Sequence, residues 1–217
     1  MLDKNKIKII GFDLDQTLYP KSPEIDESIQ SYIYKKISEH KDCCIKEAKK
    51  LFKGLYKDGR GLSGRKTLIK LEIPNAENIV QEALENADID SFLKPDEEVI
   101  NLLKTLKKSF VLDIITGSNK KIAEKKIKKL NIQDLFDHVI TSETASKSSS
   151  EAYDHWMNIH TRYTPEEFLY IGDRVSTDHD VPNKMGIQTV LVNIKKEQDG
   201  IGCPQLKSLV DIKKFLL

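Results

Sequence analysis

The chain has 217 residues with Lys+Arg 35 against Asp+Glu 34, so its charges nearly cancel. That balance gives no global pull toward nucleic acid or an anionic membrane surface, and the length suits one large domain or a core carrying an insertion. The three cysteines, Cys43, Cys44 and Cys203, match neither a disulfide framework nor a metal-ligand spacing and read as reduced thiols.

The N-terminal residues run into an apolar stretch, Ile7 to Phe12, too short and too soon followed by Asp13 and Asp15 for a signal peptide or membrane span. The expectation is a soluble, cytoplasmic protein with no membrane partner. Asp13-Leu14-Asp15-Gln16-Thr17 follows this run directly. Two carboxylates so close to a strand end suit a covalent nucleophile with an acid/base partner, beside a site for a divalent metal. Turn chemistry at Pro20-Lys21-Ser22-Pro23 then opens an interval with helical patterns: Ile25, Ile29, Ile33 and Ile37; Ala48, Leu51, Phe52 and Leu55; Ile79, Val80, Ala83 and Leu84. Residues 20–93 read as an all-helical insertion, and residues 1–19 with 94–217 as the core. Within the insertion, the segment Gly54 to Arg65 reads as a glycine-rich turn between helices, with Arg60 and Arg65 as candidate substrate contacts.

Beyond Lys94-Pro95-Asp96 the pattern changes. Runs at Phe110–Thr116, Asp137–Ser142, Phe168–Gly172 and Gln188–Asn193 read as buried strands, alternating with helical segments. That alternation predicts an α/β fold, a doubly wound parallel sheet. Ligands of such sheets bind beyond the carboxyl ends of the strands. Asp13, Thr116-Gly117-Ser118, Lys147 and Gly172-Asp173 all lie at or just after such ends. Tyr153 and Trp156 read as core positions, and none of the five histidines has a motif partner. Lys120, Lys121, Lys125, Lys126, Lys128 and Lys129 read as a solvated helix face, with a grip on an acidic partner by a non-catalytic regulatory protein as the rival function for 120–129.

Taken in order, the four segments resemble the four motifs of the haloacid dehalogenase-like superfamily, and the resemblance covers the whole chain. It implies Asp13 as nucleophile, and Asp15 as the acid that protonates the leaving oxygen and later takes a proton from water. It also implies Thr116, Gly117 and Lys147 as phosphate ligands. For the metal it implies Mg²⁺, held by Asp13, Asp173 and the Asp15 carbonyl, with Asp178 just outside. The helical insertion resembles the cap that the family carries after its first motif. Ser148 stands where the family usually has proline. The implied activity is hydrolysis of a small phosphorylated metabolite through an aspartyl-phosphate. Asp13 to Pro20, with the segment Tyr56 to Gly64, is partly similar to the pyrimidine 5′-nucleotidase branch, which suggests a nucleoside 5′-monophosphate. Sugar-phosphate or phosphoglycolate phosphatase and phosphomutase are the alternatives.

Overall fold

The computed structural model describes residues 2–56, 62, 64–194 and 198–217. Backbone contacts divide them into two units, one running up to Lys21 and again from Leu93 to Leu217, the other spanning Ser22–Phe92.

In the first unit, β1 (Ile9–Phe12) is a run of four buried residues, the continuous apolar signature of a strand covered on both faces. It pairs in parallel with β2 (Val111–Ile115) on one side and β4 (Phe168–Gly172) on the other. β3 (His138–Ile140) and β5 (Gln188–Leu191) close the edges, giving the order β3-β2-β1-β4-β5 with every pairing parallel. The five strands fall on the five apolar runs of the sequence, and the architecture is the expected α/β parallel sheet. The chain order reverses between β1 and β4, the place where open sheets of this kind leave a crevice beyond the carboxyl ends.

One sheet face packs Ile9, Ile115, Phe168 and Tyr170 against Ala152, Tyr153 and Trp156 of a later helix. Trp156 and Tyr153 are fully buried, as their apolar pattern predicts. Gly11 permits that closeness, since a Cβ there would lie 2.6 Å from Ile115 Cδ1 and 2.7 Å from the indole ring.

In the second unit every regular element among the described residues is a helix. In α1 (Pro23–Lys41) the Ser22 hydroxyl accepts from the Ile25 amide at 3.2 Å, and proline stands at the first helical position. α2 (Ile45–Tyr56), α3 (Gly64–Lys70), α4 (Ala76–Glu85) and the short α5 (Ile89–Phe92) follow. Ile33, Tyr34, Ile37, Ala48, Phe52, Leu68, Ile79 and Ala83 form its own core, with Tyr34 edge-on to Phe52 at 5.7 Å. Gly54 sits inside α2 and Gly64 opens α3, so neither belongs to the turn expected between them. Arg60 lies outside the described residues, and Arg65 is exposed and paired with Glu77 Oε2 at 2.6 Å.

The remaining helices belong to the first unit. α6 (Glu97–Leu106) starts on the Asp96 carboxylate, which accepts from the Glu98 and Val99 amides at 2.9 and 3.3 Å. α7 (Lys120–Lys129) precedes β3, α8 (Glu151–Ile159) precedes β4, α9 (Asp180–Lys184) precedes β5, and α10 (Lys213–Leu216) ends the chain.

Candidate active site

The end of β1 sets the site. The Asp13 amide donates to the Ile171 carbonyl of β4 at 2.8 Å, which pins the residue to the neighbouring strand as it leaves the sheet. Gln16 then turns with φ 62°, a left-handed conformation. The Asn193 side-chain amide steadies that turn from beyond β5, donating to the carbonyls of Gln16 at 2.6 Å and Thr17 at 3.4 Å. Thr17 donates its hydroxyl to Asp13 Oδ2 at 3.3 Å.

Lys147, in the loop after β3, is buried with its ammonium between two carboxylates. It pairs with Asp13 Oδ1 and, at 2.9 Å, with Asp178 Oδ1, and lies 5.2 Å from the centre of the Tyr170 ring. Burial opposes its charge, yet Asp13 and Asp178 outweigh burial and hold its pKa above the ordinary lysine value. Asp178 stands on a single π turn, Val175–His179, and is fully buried. Its Oδ2 accepts from the amides of Asp173 and Arg174, both at 2.9 Å, and its Oδ1 also accepts from the Thr177 hydroxyl at 2.9 Å. Gly172 makes this possible: a Cβ there would fall 2.3 Å from Asp178 Oδ2 and 2.4 Å from its Cγ.

Carboxylate oxygens of Asp13, Asp173 and Asp178 gather within 4.8 Å of one another. Burial, opposed by Lys147 and reinforced by Asp178 and Asp15, pushes Asp13 up to about 7. Burial likewise raises Asp173 to about 6. Among the described residues, Asp173 Oδ1 is buried with no hydrogen-bond partner. A buried carboxylate oxygen with no donor is costly, and a cation satisfies it. An oxygen-only set of this kind fits a hard divalent ion such as Mg²⁺.

Asp15 occupies a second, linked pocket of charge. Its Oδ2 accepts from the Ser118 hydroxyl at 2.8 Å, while its Oδ1 meets the Tyr19 hydroxyl and the Lys126 ammonium. Burial raises the Asp15 carboxyl, but Lys126 and the hydrogen bonds from Tyr19 and Ser118 more than offset it and hold the group below the usual carboxylate value.

Lys126 corrects the reading of 120–129 as a uniformly solvated face. Its side chain is 6% exposed and points inward, with Ile122, Ala123 and Ile127 buried beside it. The signal was present in the spacing, because positions 122, 126 and 130 share one helical stripe. A lysine in an otherwise apolar stripe needs a buried partner.

The second segment joins through Ser118. The Thr116 hydroxyl accepts from the Ser118 amide at 3.1 Å, and the Thr116 amide donates to the Ile140 carbonyl at 2.9 Å. Neither Thr116 nor Ser118 is the helix cap: Asn119 Oδ1 takes that part, accepting from Ile122 N at 2.8 Å. Among the described residues, a Cβ on the exposed Gly117 meets nothing within 4 Å, which leaves open space beside the start of α7, where helix amides favour an anion. Asp13, Asp15, Lys147, Asp173 and Asp178 are thus brought together, with Thr116 and Gly117 joined through Ser118. Histidines also have partners that the sequence did not reveal. His138 and His160 both face the buried Asp113, and His179 Nδ1 lies 2.7 Å from the Thr189 hydroxyl.

The profile of the haloacid dehalogenase-like hydrolases matches residues 9–192. The chain belongs to this family. It is 27% identical to a glyceraldehyde 3-phosphate phosphatase of Methanocaldococcus jannaschii, over 97% of this chain and 98% of that protein. Among solved structures, a haloacid dehalogenase-like hydrolase of Streptococcus pneumoniae superposes with a TM-score of 0.72 at 19% identity, covering 98% of this chain and 100% of that one. A hydrolase of Bacillus subtilis, solved bound to magnesium, superposes with a TM-score of 0.67 at 15% identity, covering 97% and 98%. For this hydrolase, among the described residues, no helix is long and apolar enough to cross a membrane.

Proposed function

We propose that this family member is a Mg²⁺-dependent phosphomonoester hydrolase that works through an aspartyl-phosphate on Asp13. The observation that carries the reading is the Lys147 ammonium held between Asp13 and Asp178, with Asp173 gathered beside them. Asp13 and Asp173, with the Asp15 carbonyl, would hold the metal. When bound, Mg²⁺ neutralises phosphoryl charge and aligns the ester for attack.

The Asp13 carboxylate attacks phosphorus, and the P–O ester bond breaks with its electron pair on the leaving oxygen. Asp15 gives that oxygen a proton and is left as the carboxylate, which the Lys126 ammonium and the Tyr19 and Ser118 hydroxyls stabilise. Water then attacks the phosphorus, Asp15 accepts its proton, and inorganic phosphate leaves with Asp13 restored. Lys147 holds Asp13 in place and offsets the gathering negative charge, while Thr116 and the Gly117 amide receive phosphoryl oxygens. Asp178, with both oxygens engaged, orients Lys147 and the turn that carries Asp173. The helical unit Ser22–Phe92 serves as the cap, with Arg60 and Arg65 as candidate contacts to the rest of the substrate.

The substrate is a small phosphorylated metabolite. The relative from Methanocaldococcus jannaschii makes a triose phosphate the first compound to test, ahead of the nucleoside 5′-monophosphate suggested by the Asp13 to Pro20 segment. The test is phosphate release with Mg²⁺ over glyceraldehyde 3-phosphate, hexose phosphates, phosphoglycolate and nucleoside monophosphates, alongside Asp13→Asn. Turnover that survives Asp13→Asn overturns the mechanism. A phosphorylated isomer formed without free phosphate identifies a mutase instead.

A further inference from the structure

A second cluster of ligand-type side chains gathers around the middle of β2, before the rim that carries Asp13. Asp113, in the middle of β2, is fully buried, although a carboxylate interrupting an apolar strand is costly without firm partners. Two imidazoles face it from different elements. His138, the first residue of β3 and the register partner of Asp113, places Nδ1 2.9 Å from Asp113 Oδ1. His160, just past α8, places Nε2 2.7 Å from Asp113 Oδ2. The two rings meet edge to face, 5.2 Å between centres.

We propose that Asp113, His138 and His160 form a site for a divalent transition metal of the zinc class, separate from the catalytic carboxylates. Two imidazole nitrogens and one carboxylate oxygen are a donor set suited to Zn²⁺ and unsuited to Mg²⁺. Candidate ligand atoms from all three residues already fall within 4.8 Å of one another. Around a tetrahedral zinc with bonds of about 2.0–2.1 Å, ligand atoms stand roughly 3.3 Å apart. The present contacts, 2.9 Å to Asp113 Oδ1 and 2.7 Å to Asp113 Oδ2, are about half an ångström shorter than that, and the ion would take the place of the ring protons as the ligand atoms settle around it.

The carboxylate is also steadied from outside, as metal-bound carboxylates are. Trp156 Nε1 donates to its Oδ2 at 2.8 Å and the His138 amide to its Oδ1 at 3.0 Å. Access comes from the His138 side, whose side chain is 43% exposed against 9% for His160, with water to complete the coordination. The ion fastens β2, β3 and the end of α8 together. Asp113 lies about 10 Å of strand before Thr116, so the site is structural and stands apart from phosphate release.

The experiment strips the full chain with a chelator, saturates it with Mg²⁺, and measures Zn²⁺ retained after dialysis together with the visible spectrum of the Co²⁺ form. The expected result is one retained equivalent with a tetrahedral Co²⁺ spectrum in both the native chain and Asp13→Asn. His138→Gln weakens retention at least about tenfold, the least that losing even an outer-sphere partner costs. Because His138 is the exposed ligand, this variant keeps its fold where His160→Gln risks losing it, and phosphate release by His138→Gln stays at the native level. The inference is overturned if no zinc is retained, if retention survives His138→Gln, or if it disappears with Asp13→Asn.

Discussion

Replacing Lys126 by methionine keeps the bulk of the side chain and removes the ammonium that faces Asp15. Lys126 is 6% and Asp15 29% exposed, so the pair lies between a surface ion pair and a fully buried one. Breaking a buried pair costs 3–5 kcal/mol and a surface pair about 0–1. With the Tyr19 and Ser118 hydrogen bonds retained, the loss here is about 1–3 kcal/mol, a fall in Tm of about 2–12 °C for a chain of this size. Burial, no longer opposed by Lys126, moves the Asp15 carboxyl upward, so the acid limb of the kcat profile shifts to higher pH. Positioned acid/base groups contribute about 10²–10⁴-fold, and disturbing one that stays in place should lower kcat about tenfold to a hundredfold with KM little changed. The assay is Mg²⁺-dependent hydrolysis of an aryl phosphate from pH 4 to 9, with thermal melts and Lys125→Met as the neighbouring control. A Lys126→Met enzyme with native kcat, acid limb and Tm refutes the linkage between this helix and Asp15.

Asp13→Asn should lower phosphate release by about 10³-fold or more while leaving a cooperative melt, read by a phosphate-detection assay and calorimetry. Without Mg²⁺, stability should fall as pH rises. The folded values of Asp13 and Asp173, about 7 and about 6, lie above the unfolded 3.8, so the native state holds more protons across that window and loses this contribution as pH climbs from about 4 through 7. Lys147, raised above 10.5, stays charged throughout it. Mg²⁺ should therefore raise Tm more at pH 8 than at pH 5, and equal shifts would contradict the metal assignment. Gly172→Ala should push Asp178 from its place, costing about 1–3 kcal/mol and most of the activity, as measured by melts and turnover.

The sheet was legible because each strand falls within a short run rich in apolar and β-branched residues, and the helices because their stripes repeat at helical spacing. The rim residues were legible because reactive groups follow strand ends. What escaped was buried charge. Lys126 was hidden among lysines on both sides, and only its place on the stripe of Ile122 marks it as inward. Asp113 sits inside a strand with partners 25 and 47 residues away in sequence, a pairing that local pattern cannot encode. Asn193 acts across the sheet on the turn after β1 through its side-chain amide, again beyond the reach of local spacing.

The helical unit enters the chain as a single interruption, leaving after Lys21 and returning at Leu93, and none of the carboxylates or lysines that meet at the strand ends belongs to it. With the helical unit acting as the cap proposed above, reactivity and preference are encoded in separable stretches of the gene. Grafting the equivalent interval from another family member is a route to new substrates in which the bond-breaking apparatus needs no redesign.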